Sequence, residues 1–239
     1  MSRLLPGILR RVNDTIAAEC ARIATAGLHA RRLLDVGCWD GEHTARYADA
    51  LGCAACGVEI FDAQARAAEA RGVEVARVDL ENERFPWPDG HVDVVVCNQV
   101  FEHLKNVWLP ISEIYRVLAP RGWLILSVPN LGSLHNRVLL ALGRQPTSIR
   151  TFGPHVRGYT FGEIRGFVAH GGGLRVRRMR GVGFYPLPAR VAAPLTRLWP
   201  GASHTSIVIA QKIASDFASP WAEWMRGQHA IGLQTFYEK

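Results

Sequence analysis

Residues that could bind a nucleoside occur at three places in the first half of the chain. A glycine-rich stretch at 35–41 (DVGCWDG) would let backbone N–H groups approach a ligand closely at the start of a helix. Glu59 is suited to accept hydrogen bonds from both hydroxyls of a ribose, and Asp79 to accept one from the exocyclic amine of an adenine. Together they predict an adenosyl-binding site. A dinucleotide-type Gly-x-Gly-x-x-Gly, which would need glycine at Glu42, is absent.

The elements that must position these residues are short strands separated by helices. Apolar runs that alternate with segments of helical composition predict consecutive βα units and a doubly wound sheet. The predicted strands are 32–36, 54–60, 73–78, 92–97 and 123–128, followed by an antiparallel pair at 174–182 and 205–210. Glu59 and Asp79 would then end the second and third strands, at the sheet edge where open α/β folds bind ligands.

The expected fold class is therefore α/β, with a Rossmann-like seven-stranded sheet that is mostly parallel and has an antiparallel closing strand. After residue 130, glycine and proline residues interrupt the alternation of strands and helices. This interruption predicts a small cap or lid. The predicted divisions are an N-terminal helical segment (1–29), a main domain (30–215) with the cap inserted at 131–172, and a C-terminal tail (216–239). Because the tail contains Trp221, Trp224 and Tyr237, we expect it to cover the cleft or a partner subunit.

Four motifs occur in a characteristic order, at 33–41 (LLDVGCWDG), 85–95 (FPWPDGHVDVV), 99–104 (QVFEHL) and 113–123 (EIYRVLAPRGW). Over roughly residues 30–130 the chain resembles the class I S-adenosylmethionine-dependent methyltransferases, in the small-molecule group similar to the ubiquinone, menaquinone and glycan O-methyltransferases. The resemblance implies S-adenosyl-L-methionine as cofactor.

The resemblance also implies where the cofactor lies. Asp35, Gly37 and Gly41 would surround its amino acid end, and Asn98 and Gln99 would face the methionine moiety and the methyl group. The expected cofactor-binding residues are Asp35, Gly37, Cys38, Trp39, Gly41, Glu59, Ile60, Asp79, Leu80, Asn98 and Gln99. Trp39 is a departure, because many relatives have glycine there, and we expect its indole to point away from the cofactor.

Candidate catalytic residues follow the fourth strand and occur in the cap. Methyl transfer to an alcohol benefits from a base of near-neutral pKa, a role suited to histidine. The candidates are His103 with its neighbour Glu102, and His155, Tyr159 and His135 in the cap. A helix-capping role for His103 is an open alternative. Glu102 and the histidines could instead hold a divalent cation such as Mg²⁺ that acidifies a hydroxyl.

The charge distribution constrains the acceptor. Residues 131–215 contain 12 Lys and Arg and one carboxylate, Glu163, so the acceptor could be anionic or lipid-linked. Aromatic residues lie among these arginines, which suits a sugar, glycan or other polyhydroxylated molecule. They are Phe152, Tyr159, Phe161, Phe184, Tyr185 and Trp199. The motifs of nucleic-acid methyltransferases are missing, so no nucleic-acid partner is expected.

Alternatives to hydroxyl methylation of a sugar are also open. Apolar residues from Leu131 to Leu142, flanked by Arg137 and Arg144, could present a lipid, quinone or polyketide acceptor at a membrane surface. A non-catalytic regulator that binds the cofactor would have the same cofactor residues. Because no apolar run reaches the ~18 residues of a membrane span, we expect a cytoplasmic protein without a transmembrane segment, with a homodimer allowed. Cys53 and Cys56 are expected to be reduced core thiols, with a redox pair as the alternative.

Overall fold

The computed structural model describes residues 5–222. The helices are α1 (Leu5–Thr25), α2 (Glu42–Leu51), α3 (Asp62–Glu69), α4 (Trp108–Val117), α5 (Leu134–Ala141), α6 (Phe161–Val168) and α7 (Ala189–Leu198). The strands are β1 (Arg32–Val36), β2 (Ala54–Val58), β3 (Glu74–Ala76), β4 (Val92–Asn98), β5 (Leu118–Pro129), β6 (Leu174–Val182) and β7 (Thr205–Lys212). Short 3-10 turns occur at Phe101–His103, His170–Gly172 and Pro200–Ala202.

All seven strands form one sheet in the order β3-β2-β1-β4-β5-β7-β6. Strands β1 to β5 pair in parallel, whereas β7 is antiparallel to both of its neighbours. The predicted seven-stranded, mostly parallel sheet with antiparallel pairing at its end is thus confirmed. The order reverses between β1 and β4, so the carboxyl ends of these two strands flank the crevice where doubly wound sheets bind ligands.

The third and fifth strands differ most from their predicted bounds. The third strand ends at Ala76 rather than at residue 78, because the chain from Asp79 turns back on itself through hydrogen bonds from Asn82 N and Glu83 N to Asp79 O. Asp79 therefore lies in a loop beyond the strand rather than at its end. The fifth strand starts at Leu118, before a turn-like stretch in which Arg121 has a φ of 65° and the register shifts.

The core has two layers because β4 is covered on both faces. Val95 and Cys97 of β4 pack toward α4 and α6, whereas Val94 and Val96 pack toward α1 and α2. An uninterrupted apolar run is the pattern expected of a central parallel strand. The sheet is thereby packed on both faces, and its carboxyl edge positions the residues that follow β1, β2 and β4.

The insertion after β5 begins with α5, continues as a loop and returns to the sheet at α6. Ile164 and Val168 of α6 are fully buried in the same core cluster as β5 and β7. We therefore propose that only residues 131–160 of the predicted cap act as a separate lid. This segment is attached to the turn after β4, since the backbone N–H groups of Val156 and Arg157 donate to Glu102 O at 2.8 and 3.1 Å.

Within the C-terminal tail, Trp221 is fully buried. Its ring packs edge-on against Tyr115 of α4, and its Nε1 donates to Phe167 O of α6 at 3.2 Å. Trp224 and Tyr237, the other aromatic residues on which the tail prediction rested, lie outside the described residues. Between residues 5 and 222, no helix combines the length and the apolar character needed to span a bilayer.

Candidate active site

The glycine loop after β1 has a backbone that other residues would not easily adopt. Gly37 and Gly41 have φ values of 77° and 78°. A Cβ added at Gly37 would lie 2.7 Å from Val100 Cγ2, and one at Gly41 would lie 2.8 Å from Ala68 Cα. Both positions therefore require glycine for conformation and for space. Gly41 is also the N-cap of α2, so the loop leads into a helix N-terminus as predicted.

Glu59 lies directly after β2, with only 6% of its surface exposed. Its Oε2 accepts from the backbone N–H of Trp39 at 3.1 Å, and its Oε1 accepts from that of Phe61 at 2.9 Å. Each carboxylate oxygen can accept more than one hydrogen bond. The carboxylate is therefore fixed in direction and keeps acceptor capacity on both oxygens.

Exposed apolar side chains lie beside Glu59. The indole of Trp39 is 55% exposed and stands edge-on to the ring of Phe61, with 6.2 Å between centroids. Ile60 and Phe61 are exposed as well. Trp39 has a φ of 51°, an uncommon conformation for a residue with a side chain. Cys38, its neighbour, is buried against Ala68 and Val73.

The pKa values of Asp79 and Asp35 are shifted in opposite directions. Asp79 accepts from Asn82 Nδ2 at 2.8 Å and from Glu81 N at 2.9 Å, and these hydrogen bonds lower its pKa. Asp35 is buried at the end of β1, where desolvation raises its pKa to about 6 despite a 2.6 Å hydrogen bond from Thr44 Oγ1. Leu80, next to Asp79, is half-buried and packs on the core.

A buried polar network lies beneath the end of β4. Gln99 has a φ of 58° and donates from Nε2 to Ser127 Oγ at 3.1 Å, and Ser127 donates to Asn98 Oδ1 at 2.5 Å. Asn98 in turn donates to Asn13 Oδ1 at 2.8 Å, an atom that also accepts from Tyr47 at 3.0 Å. The two residues predicted to face the methyl group are therefore positioned by neighbours on β5 and α1.

Asn13 was not predicted as a site residue. It is buried on α1 and donates from Nδ2 to His43 Nε2 at 2.7 Å. The sequence contained a signal, because Asn13 falls on the helical stripe formed by Ile16 and Cys20, where an apolar residue would be expected. A polar residue buried in such a stripe must find partners.

Glu102, His103 and His155 come together, with one potential ligand atom of each lying within 4.8 Å of the others. Glu102 is 1% exposed, and within the described residues neither of its carboxylate oxygens has a hydrogen-bond partner. Burial raises its pKa to about 8. The rings of His103 and His155 meet edge to face with 4.8 Å between centroids. This contact joins the turn after β4 to the cap.

Carbonyl oxygens orient both imidazoles. His155 Nδ1 lies 2.8 Å from Ser148 O, and His103 Nδ1 lies 3.3 Å from Pro154 O. Because a carbonyl can only accept, each Nδ1 carries the proton, and Nε2 of the neutral ring has the free lone pair. Burial, followed by the neighbouring His155, lowers the pKa of His103.

Two further predicted residues line the inner side of the cap. Tyr159 is buried and its hydroxyl has no partner among the described residues, while burial raises its pKa to about 12. His135 contacts the ring of Tyr185 at 4.6 Å, and burial lowers its pKa. His204, which was not predicted, has its pKa lowered to about 4 by burial and by the nearby His135 and His155.

All five cysteines are free thiols. Burial raises the pKa of Cys53 to about 11 and that of Cys56 to about 12. The Cys56 thiol donates to Leu33 O at 3.2 Å within the sheet. Because thiolate is the reactive form, these values favour core thiols over a redox pair.

Comparisons with known proteins agree with this fold. The profile of a family described as a methyltransferase domain matches residues 8–164. The 27-O-demethylrifamycin SV methyltransferase of Amycolatopsis mediterranei is 34% identical over 102 residues, covering 40% of this chain and 37% of the relative. The ubiquinone biosynthesis O-methyltransferase of Burkholderia vietnamiensis is 25% identical over 181 residues, covering 70% of this chain and 74% of the relative.

Among solved structures, magnesium protoporphyrin IX methyltransferase from Synechocystis, with bound SAH, has the same fold at a TM-score of 0.60. It is 19% identical and the match covers 89% of each chain. The chain spans between 28% and 48% of the length of five curated relatives that it matches. Because the family profile covers well over half of its residues, the chain belongs to the methyltransferase family whose members use S-adenosylmethionine.

Proposed function

We propose that this chain transfers a methyl group from S-adenosylmethionine to a hydroxyl of a sugar, glycan or other polyhydroxylated small molecule. The observation that carries this proposal is Glu102, a buried carboxyl without a hydrogen-bond partner among the described residues. It lies beside two histidines whose Nδ1 atoms face backbone carbonyls, so that Nε2 of each neutral ring can accept a proton. Two relatives whose names state O-methylation support oxygen as the acceptor atom.

The residues at the carboxyl edge fit S-adenosylmethionine. Gly37 and Gly41 allow the loop after β1 its left-handed turns at the carboxyl edge, and Glu59 offers two oriented oxygens for ribose hydroxyls. The exposed faces of Ile60 and Phe61 suit an adenine ring, and the ionised Asp79 comes three residues after β3, the strand that pairs with β2. When bound, the cofactor supplies a methyl group on a good leaving group. We infer that the polar network around Asn98 and Gln99 fixes its orientation.

We propose that His155 or His103 accepts the proton of the acceptor hydroxyl at Nε2. Proton transfer by a positioned histidine contributes ~10²- to 10⁴-fold to a rate. The carbonyl partners of Nδ1 keep each ring in the tautomer that has this lone pair, and the lowered pKa of His103 keeps its ring neutral. Glu102, with a pKa of about 8, is protonated at neutral pH and can donate to a neighbouring hydroxyl of the acceptor.

A metal-assisted version is the second possibility for the same cluster. Two imidazoles and one carboxylate form a recognised ligand set for divalent cations, and the ligand atoms lie within 4.8 Å of one another. Ligand atoms about 2.1 Å from a metal can be at most ~4.2 Å apart, so only a small closure of the cap would be needed. A bound cation would lower the pKa of a hydroxyl that contacts it.

The test is methyl transfer from isotopically labelled S-adenosylmethionine to a panel of sugars, glycans, quinols and lipid-linked glycans, with the methylated atom located by NMR. We expect label on an oxygen of a polyhydroxylated acceptor, and no transfer by Glu59→Ala. Label on nitrogen or carbon would contradict the proposal. Tight cofactor binding without transfer to any acceptor would favour the regulator instead.

The role of metal can be tested separately. The purified chain is dialysed against a chelator, and Mg²⁺, Mn²⁺ or Zn²⁺ is added back while turnover and metal content are measured. Activity that survives metal removal supports the histidine base. Activity that is lost, restored by one cation and absent from Glu102→Gln supports the metal-assisted version.

A further inference from the structure

The outer side of the cap exposes apolar side chains on α5. Leu134, Val138 and Leu142 follow one another at intervals of four residues, so they share one face of the helix and of its C-terminal turn. All three are exposed, and Leu142 is 67% exposed. A helix packed within a monomer normally buries such a row.

A second group of exposed apolar residues lies at the end of α7. Leu198 is 83% exposed, and Trp199, the C-cap of α7, is half exposed. The guanidinium of Arg137, one turn beyond Leu134, lies 5.6 Å from the centre of the Trp199 indole. This contact links α5 to the end of α7, and we call the exposed apolar residues of the two helices the cap surface; they are Leu134, Val138, Leu142, Leu198 and Trp199.

All charged residues on α5, on α7 and directly beside these two helices in sequence are positive. Exposed arginines lie on α5, directly after it and on α7; they are Arg137, Arg144, Arg190 and Arg197. The whole region 131–215 contains a single carboxylate, Glu163 on α6. We propose that the cap surface binds the anionic face of a lipid bilayer, with the leucines entering the acyl boundary and the arginines contacting lipid phosphates.

A bilayer explains this combination better than a second copy of the chain. A two-fold interface would place the same arginines opposite one another without carboxylates to neutralise them. By contrast, arginine stems can lie along apolar surface while their charged ends reach headgroups, and tryptophan favours the same boundary. Amphipathic helices with cationic flanks bind membranes in this way without spanning them.

The position of the cap surface would bring the bilayer close to the site. Strand β5 ends at Pro129, at the carboxyl edge of the sheet, and α5 starts five residues later. His135, the second residue of α5, has its ring turned toward Tyr185 on the inner side. Docking would therefore hold the cap, with its inner histidines, at the membrane surface. Binding of the cap surface to a bilayer does not depend on which atom of the acceptor is methylated.

The test is co-sedimentation of the full chain with vesicles of equal parts phosphatidylcholine and phosphatidylglycerol, compared with pure phosphatidylcholine. We expect binding to the mixed vesicles that falls with added salt. Arg144→Glu should weaken it at least fivefold, since each cationic residue at an anionic surface contributes about that factor. Leu142→Glu should weaken it roughly tenfold or more, because its apolar contact is lost.

Matched controls lie at the opposite edge of the sheet, where β6 starts and β7 ends. Ile213 and Arg175 are also exposed, and Ile213→Glu and Arg175→Glu should bind vesicles like the wild type. Each variant is checked for an unchanged melting temperature. No binding of the wild type to mixed vesicles, or equal losses in the controls, would overturn the proposal. It would also be overturned if the wild type sedimented as a dimer that Leu142→Glu converts to monomer.

Discussion

Asn13 on helix α1 accepts a hydrogen bond of 2.8 Å from Asn98 at the end of β4, 85 residues further along the chain. The same Asn13 oxygen accepts from the hydroxyl of Tyr47 on α2. The N-terminal helix thus orients a residue of the candidate site as well as covering the sheet. Its removal would take away one of the hydrogen bonds that orient the Asn98 amide, and the bond from Ser127 would remain.

Asn13→Ala should therefore impair cofactor binding and turnover. It leaves two buried donors, on Tyr47 and Asn98, without their acceptor, at a cost of ~1–3 kcal/mol each. We expect cofactor Kd to rise about tenfold or more, measured by calorimetry. Asn13→Asp, which keeps the acceptor oxygen, should recover much of the affinity. Asp14→Ala, on the exposed side of the same helix, is the control; an unchanged Kd in Asn13→Ala would refute the positioning role.

Glu59→Gln should weaken cofactor binding while the fold persists. An amide retains only one of the two oxygens that accept from Trp39 N and Phe61 N, and it lacks the charge proposed to bind the ribose. Hydrogen bonds to charged groups contribute ~1.5–3 kcal/mol, so a Kd increase of roughly 10- to 100-fold is expected. Glu69→Gln, an exposed carboxylate on α3, serves as the matched control. Equal affinities of the two variants would argue against the ribose assignment.

Gly37→Ala should lower both stability and cofactor affinity. The added methyl would meet Val100 Cγ2 at 2.7 Å in a backbone with a φ of 77°. Gly52 has a similar φ of 67°, but a Cβ added there would meet nothing within 4 Å, so Gly52→Ala should lose only ~1 kcal/mol of stability and keep its affinity. The double variant Gly37→Ala/Val100→Ala should recover part of the affinity. Indistinguishable behaviour of the two alanine variants would contradict the steric account.

Asp35→Asn should stabilise the protein above pH 6 while weakening cofactor binding. Burial raises the pKa of Asp35 from 3.8 to about 6, so its contribution to stability is full below pH 3.8 and is lost as the pH rises through about 6. The loss is roughly 3 kcal/mol, at about 1.4 kcal/mol per pH unit. Urea unfolding at pH 4 and pH 8 measures it, with exposed Asp49→Asn as the control. A wild-type stability that rises from pH 4 to pH 8 relative to Asp35→Asn would contradict the burial argument.

Local patterns predicted much of the fold. The bounds of β1 and β6 match the predicted strands because buried strands are encoded by continuous or alternating apolar residues. The end of β3 was placed too late, since the apolar pattern continues into Val78 although the backbone already turns at Asp79. Such apolar runs show that a strand is present. The residue at which the strand ends depends on tertiary hydrogen bonds, which the runs do not encode.

The parts of the candidate site that could be placed from the sequence are those that lie on one short segment. The glycine loop and Glu59 each follow a strand, and the sheet brings them together at its carboxyl edge. Asn13 and His204 escaped prediction because their roles depend on contacts with residues far away in sequence. The meeting of His155 with Glu102 likewise depends on how the cap docks, which no local pattern encodes.

The central claim is that the Glu102–His103–His155 cluster activates the acceptor hydroxyl. The most direct measurement is kcat with saturating S-adenosylmethionine and the identified acceptor, for Glu102→Gln, His103→Gln and His155→Gln, with exposed His29→Gln at the opposite edge as the control. We predict that at least one cluster variant loses about 100-fold or more in kcat with unchanged cofactor Kd, as expected for loss of a base or ligand. Wild-type kcat in all three cluster variants would contradict the claim.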